Sequence, residues 1–167
     1  ENNIGYSTII GSFAAEHATG VENCVFIGHQ AGQYNEYESG ANGSGYSNIY
    51  IGSQAGTNWK RGKYNVFIGD DAGGANAGSG ETPTAFGNGA GNIILGDHAG
   101  YRLTTGSYNV FIGYQAGYYQ ANTSNKLFIS NSSTSSPLIW GDFSTSSVKI
   151  NGSFTYTSDE RFKENIK

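Results

Sequence analysis

A nine-residue unit recurs along most of this chain, and its spacing limits the fold more than any other feature. Residues 109–117 read Asn-Val-Phe-Ile-Gly-Tyr-Gln-Ala-Gly, and residues 65–73, 48–56 and 92–100 repeat the pattern, with looser copies at 24–32 and 7–15. The glycine after each apolar triplet falls at Gly11, Gly28, Gly52, Gly69, Gly96 and Gly113, in steps of 17, 24, 17, 27 and 17 residues. A further step of 17 reaches Ser130, behind Leu127-Phe128-Ile129. Short and long steps alternate. The extra residues, as in 39–47 and 73–80, are rich in Gly, Ser, Asn and Ala, a composition that belongs in loops on one side of a coil.

Each apolar triplet is a short strand, and its side chains alternate between two faces. Val110 and Ile112 share one face and Phe111 takes the other. The first face is aliphatic in nearly every copy (Val25 and Ile27, Ile49 and Ile51, Val66 and Ile68, Ile93 and Leu95). The second carries Ile9, Phe26, Tyr50, Phe67, Ile94 and Phe111. Both faces are apolar, so both call for burial. A coil of about 17 residues has one interior. We expect it to enclose the aliphatic row, leaving Phe26, Tyr50, Phe67 and Phe111 to pack against neighbouring chains. Marker glycines every 17 residues or so, with no 3.6-residue period, exclude a helical reading.

Three further columns follow from the spacing. Ala14, Ala31, Ala55, Ala72, Ala99 and Ala116 stand three places after each marker glycine, implying tight packing at a corner. Asn48, Asn65, Asn92 and Asn109 open their strands and suit a ladder that satisfies turn backbone groups. Cys24 holds the same place, which favours packing over a reactive thiol. One cysteine also excludes an internal disulfide framework.

Composition agrees with a turn-rich β protein. The 167 residues include 26 Gly, 12 Tyr and 2 Pro. Charged residues make up 13%, against about 25% in ordinary domains. A net charge of −4 and scattered Lys and Arg give no basic face for a nucleic acid. No apolar run approaches the roughly 18 residues of a membrane span. The chain opens at Glu1 in mid-pattern, as a fragment of something longer would.

The repeated Asn-Val-Phe-Ile-Gly-x-Gln-Ala-Gly unit resembles the repeats of phage and giant-virus tail fibres. It is also similar to the head of trimeric autotransporter adhesins, where aliphatic-Ile-Gly units build a left-handed parallel β-roll in each of three chains. The adhesin repeat is shorter than this one. The resemblance covers roughly three quarters of the chain. The expected fold is all-β: a homotrimeric β-roll or β-helix of about 17-residue coils with loop insertions over 1–130, then a short β connector over 131–157. In that connector Leu138-Ile139-Trp140 and Val148-Lys149-Ile150 read as strands, and Trp140 and Phe143 as anchors of an interchain core.

Residues 158–167, Ser-Asp-Glu-Arg-Phe-Lys-Glu-Asn-Ile-Lys, resemble the opening of the intramolecular chaperone domain of phage tail spikes, the endosialidase-type self-cleaving family. The resemblance implies cleavage between Ser158 and Asp159, with Ser158 as nucleophile and Lys163 as its base, once the whole chaperone domain is present. The alternative is a charged helical tail with a Ser N-cap.

Other chemistry has weaker support. His17, His29 and His98 lack ligand spacing on one element, though a symmetric trimer brings copies of one His to its axis. Asp70, Asp71, Asp97 and Asp142 lack the spaced oxygen ligands of a calcium loop. No metal or cofactor is expected. Stacked Asp70, Asp71 and Asp97 leave a polysaccharide depolymerase as a rival. Tyr34, Tyr37, Trp59, Tyr101, Tyr118 and Tyr119 lie after the Ala-Gly corner or in variable loops. They suit a receptor surface for a host glycan or protein, or else they pack against the next coil. The expected role is therefore non-enzymatic: host attachment by a virion tail or other extracellular fibre. A bacterial or contractile-injection-system adhesin is the alternative.

Overall fold

A computed structural model describes residues 5–36, 45–74 and 87–155. Within them the chain is all-β. Nine strands form one sheet in sequence order: β1 (Thr8–Ile10), β2 (Val25–Ile27), β3 (Ile49–Ile51), β4 (Val66–Ile68), β5 (Ile93–Leu95), β6 (Val110–Ile112), β7 (Lys126–Ile129), β8 (Ile139–Asp142) and β9 (Ser147–Ile150). The first seven run parallel with every repeat in register. Phe26 faces Tyr50, Tyr50 faces Phe67, Phe67 faces Ile94, Ile94 faces Phe111, and Phe111 faces Phe128. The direction then reverses, because β8 pairs antiparallel with β7 and β9 antiparallel with β8.

Each strand and the described part of its return path form one rung, and among the described residues neighbouring rungs are bonded on several sides. Beyond the sheet, the Ala-Gly corner carries a column of backbone bonds: Gly32 to Ala55, Gly56 to Ala72, Gly73 to Ala99 and Gly100 to Ala116, N–H to carbonyl at 2.9–3.0 Å. The far side is bonded too, for example Tyr34 N–H to the Thr57 carbonyl at 3.1 Å and Thr104 N–H to the Ala121 carbonyl at 2.7 Å. The backbone donors of a return segment thus find partners one rung away, as burial requires. At the marker glycines the chain turns with positive φ and meets the next rung closely. A Cβ on Gly69 (φ 137°) would lie 2.4 Å from the Gly96 carbonyl oxygen, so no side chain fits.

The interior differs from expectation in one decisive respect. Phe26, Tyr50, Phe67, Ile94 and Phe111 are all 0% exposed within the single chain, while Ile68, beside Phe67, is 39% exposed. The aromatic row is the core and the aliphatic row is the outer face. Phe26, Tyr50, Phe67 and Phe111 therefore cannot form an interface between chains without the rung opening. The reason is volume. The Ala column (Ala31, Ala55, Ala72, Ala99 and Ala116, all 0% exposed) leaves room only on the side where large rings point. The rings of Phe26, Tyr50 and Phe67 stack at 5.0 and 4.9 Å between centroids. Full burial stabilises each such side chain by about 1.5–3 kcal/mol. Trp59 belongs to the same core: it is fully buried and sets its edge on Phe67 at 5.1 Å. It is therefore not a receptor-facing residue.

Beside the aromatic core runs a buried amide ladder. The Asn48 side-chain oxygen accepts the backbone N–H of Asn65 at 3.0 Å, and the oxygens of Asn65 and Asn92 accept those of Asn92 and Asn109 in the same way, at 2.9 and 3.0 Å. Each amide nitrogen also donates to a turn carbonyl, Gly62, Gly89, Gly106 and Thr123 in order. Cys24 heads the column. Its sulfur accepts the Asn48 N–H at 3.4 Å, and burial pushes the thiol above its ordinary pKa. Packing is the role this supports.

Candidate assembly and attachment surfaces

The outer face of the sheet is a continuous apolar strip. One column runs Val25, Ile49, Val66, Ile93, Val110, Leu127. The other runs Ile10, Ile27, Ile51, Ile68, Leu95, Ile112, Ile129. All are half-buried or exposed in the isolated chain. The antiparallel pairing extends both columns, since Ile139 lies opposite Ile129 and Ile150 opposite Ile139, while Gly141 lies opposite Leu127 and Val148 opposite Gly141. Eight inter-strand spacings give a length of about 38 Å. No charged residue stands at any of these positions. Monomeric proteins rarely leave such a flat, contiguous aliphatic face to water.

Trp140 and Phe143 part company at the end of the strip. Trp140 pairs with Phe128 and continues the inner, aromatic column, where it packs against the core. Lys126 sits 6.0 Å above its ring and bridges to Asp142 at 2.5 Å. That bond, followed by those from Ser144, lowers the Asp142 carboxyl to about 2. Trp140 thus helps anchor the hairpin within its own chain. Phe143, in the turn after β8, is 53% exposed and borders a depression with Leu127, Gly141 and Val148 of the outer face.

A second surface lies at the corner after the Ala-Gly turn. The 17-residue step places Tyr118 on Tyr101, with centroids 5.1 Å apart and planes within 18°. Tyr119 sets its edge to Tyr118 at 4.9 Å and is largely exposed. One neighbour was missed in the sequence. Arg102 lies over the Tyr119 ring at 5.3 Å and the Tyr118 ring at 5.9 Å. His98 lies 5.3 Å from Tyr101 and pairs with Asp97 and, at 3.5 Å, with Asp71. The same step that relates Tyr101 to Tyr118 relates Arg102 to Tyr119, so the column was there to be read. Burial raises the pKa of Asp71, against the pull of His98, and burial followed by the Asp71 charge raises that of Tyr101. Tyr34 is apart from this cluster, three rungs earlier, and stacks on His17 at 5.0 Å.

Asp71 and Asp97 turn to one imidazole rather than facing each other across a cleft. Among the described residues no three His, Cys, Asp or Glu side chains converge as metal ligands. His29 is exposed and meets Phe13 edge-on at 5.8 Å. Tyr37, Ser158, Asp159 and Lys163 lie outside the described residues. No protein-family model, curated protein or solved structure matches the chain.

Proposed function

We propose that the chain is a structural and receptor-binding segment of a homotrimeric viral tail fibre, built as a β-roll or β-helix of about 17-residue coils. Its partners are two copies of itself and a host cell-surface glycan or protein. The outer aliphatic strip carries this reading. It carries no charged residue and is aliphatic at every rung from the first strand to the last, and a core of its own chain already lies on the other side of the sheet. A second and third copy, related by an axis along the stack of rungs, would bring the three strips together at equal height along the whole length. The Tyr101, Tyr118, Tyr119 and Arg102 corner supports the attachment role, because rigid aromatic rings beside a guanidinium bind at low entropic cost.

The test is mass in solution at micromolar concentration. Sedimentation equilibrium should give three times the chain mass of 17.7 kDa. Ile68→Asp, on the strip, should yield a folded monomer, whereas Phe67→Asp, in the core, should not fold. A wild-type chain that stays folded at 17.7 kDa would overturn the reading.

A further inference from the structure

The strip is too narrow to hold three chains together alone. Its two columns stand about 7 Å apart, and with their side chains the band is about 11 Å wide. Over about 38 Å that amounts to roughly 400 Å², where a stable interface takes about 800 Å² from each partner. The flanks must contribute, and they are unlike each other.

On the flank where the strands begin, Phe143 lies exposed at the level of β7–β9, bordering the outer face. It is held there by its N–H on the Asn125 carbonyl at 2.8 Å, and the polar turn Ser144-Thr145-Ser146 follows it. On the flank where the strands end, at the same level, lies a groove of about 620 Å³. Ile112, Ile129 and Leu138 supply its apolar lining, and Ser130, Ser132 and Thr134 supply hydroxyls. No carboxylate or cation lines it. Its aliphatic members Ile112 and Ile129 belong to the strip itself, so the groove is an extension of that face.

Rotation about an axis along the stack, perpendicular to the strands, brings the starting flank of one chain against the ending flank of the next, at equal height. Such a contact is head-to-tail and closes into a ring. We infer that Phe143 of each chain docks in the groove formed by Ile112, Ile129 and Leu138 of its neighbour, with the Ser-Thr turn meeting the hydroxyl rim. This lock fixes the axial register, which a uniform aliphatic ladder leaves free to slide by one rung. The inference rests on the trimeric reading above and names the contact that sets its alignment.

The full chain tests it. Ser136 also lines the groove, and in a Phe143→Cys, Ser136→Cys double variant the two thiols lie beyond opposite ends of β8, whose four residues span about 10 Å. A bridge needs Cα atoms within roughly 7 Å, so none forms inside one chain. Mild oxidation of the assembled protein should yield covalent trimers on denaturing gels, and neither single variant should. Phe143→Ala should raise the concentration for half-assembly at least about tenfold, as loss of a central anchor does, with the far-ultraviolet spectrum unchanged. A trimer that neither cross-links nor weakens on Phe143→Ala would refute the lock and leave the trimer standing. A chain that is monomeric throughout would refute both.

Discussion

Asn65 gives two hydrogen bonds to one atom: its backbone N–H at 3.0 Å and its side-chain amide at 3.2 Å both end on the side-chain oxygen of Asn48. Asn92 treats Asn65 the same way, and Asn109 treats Asn92. Every member is fully buried, so each lost amide strands partners on two rungs. Asn92→Ala deprives the Asn109 N–H and amide of their acceptor, and the Gly106 carbonyl and Asn65 oxygen of a donor. The expected loss is about 3 kcal/mol or more, read from urea unfolding followed by circular dichroism.

Tyr50 presents the opposite case. Its ring is stacked between Phe26 and Phe67, and its buried hydroxyl makes no hydrogen bond of good geometry among the described residues. Burial accordingly drives the phenol well above its ordinary pKa. Tyr50→Phe removes an unsatisfied group and keeps the ring, so stability should hold or rise by about 1 kcal/mol. A fall of that size in the unfolding midpoint analysis would contradict the account.

The marker glycines tolerate no side chain. Gly69→Ala combines a φ of 137° with a Cβ 2.4 Å from a backbone oxygen of the adjacent rung, and neither rung can retreat without breaking the sheet. A cost of at least about 3 kcal/mol is expected. Gly152→Ala is the control. There the Cβ meets only the tip of Leu138 at 3.3 Å, and the change should stay within about 0.5 kcal/mol.

The hairpin of β8 and β9 should loosen in acid. The Asp142 carboxyl, held by Lys126 and Ser144, titrates at about 2 in the folded chain, below its unfolded value. Its contribution is complete above the unfolded carboxylate range, near 3.9, and disappears as pH falls through about 2. Fluorescence of Trp140 in a Trp59→Phe background should report the change between about pH 4 and pH 2. Asp142→Asn should show the loosened signal at neutral pH already and stay flat across that window.

The sequence carried the strands, their register, the glycine turns and the amide ladder, because each depends on spacing alone. It misassigned the two faces of the sheet. Alternation says that Phe67 and Ile68 point opposite ways but not which way is in. The deciding clue was the small residue opposite. A Cβ on Gly56 would come within 2.6 Å of the Tyr50 ring, so Ala-Gly corners mark the side where rings are stored. Trp59 was misread for a related reason. It stands seven places after its marker glycine, as Leu103 does, and that column points into the core. The corner formed by His98, Arg102 and the tyrosines required stacking rungs as well as reading along them.

The strands pair identically whether 17, 24 or 27 residues separate them: Ile51 meets Ile68 just as Ile27 meets Ile51 and Ile68 meets Leu95. The longer steps contain the stretches between Glu36 and Gly45 and between Gly74 and Gly87, and the described chain beside them is bonded to its neighbours: Glu36 N–H to the Lys60 carbonyl, Gly45 N–H to the Gly62 carbonyl and Gly87 N–H to the Asn58 carbonyl. These two places are splice points. Foreign peptides of differing length, exchanged there, would ride on an unaltered frame, so this architecture can change what it displays without renegotiating how it stands.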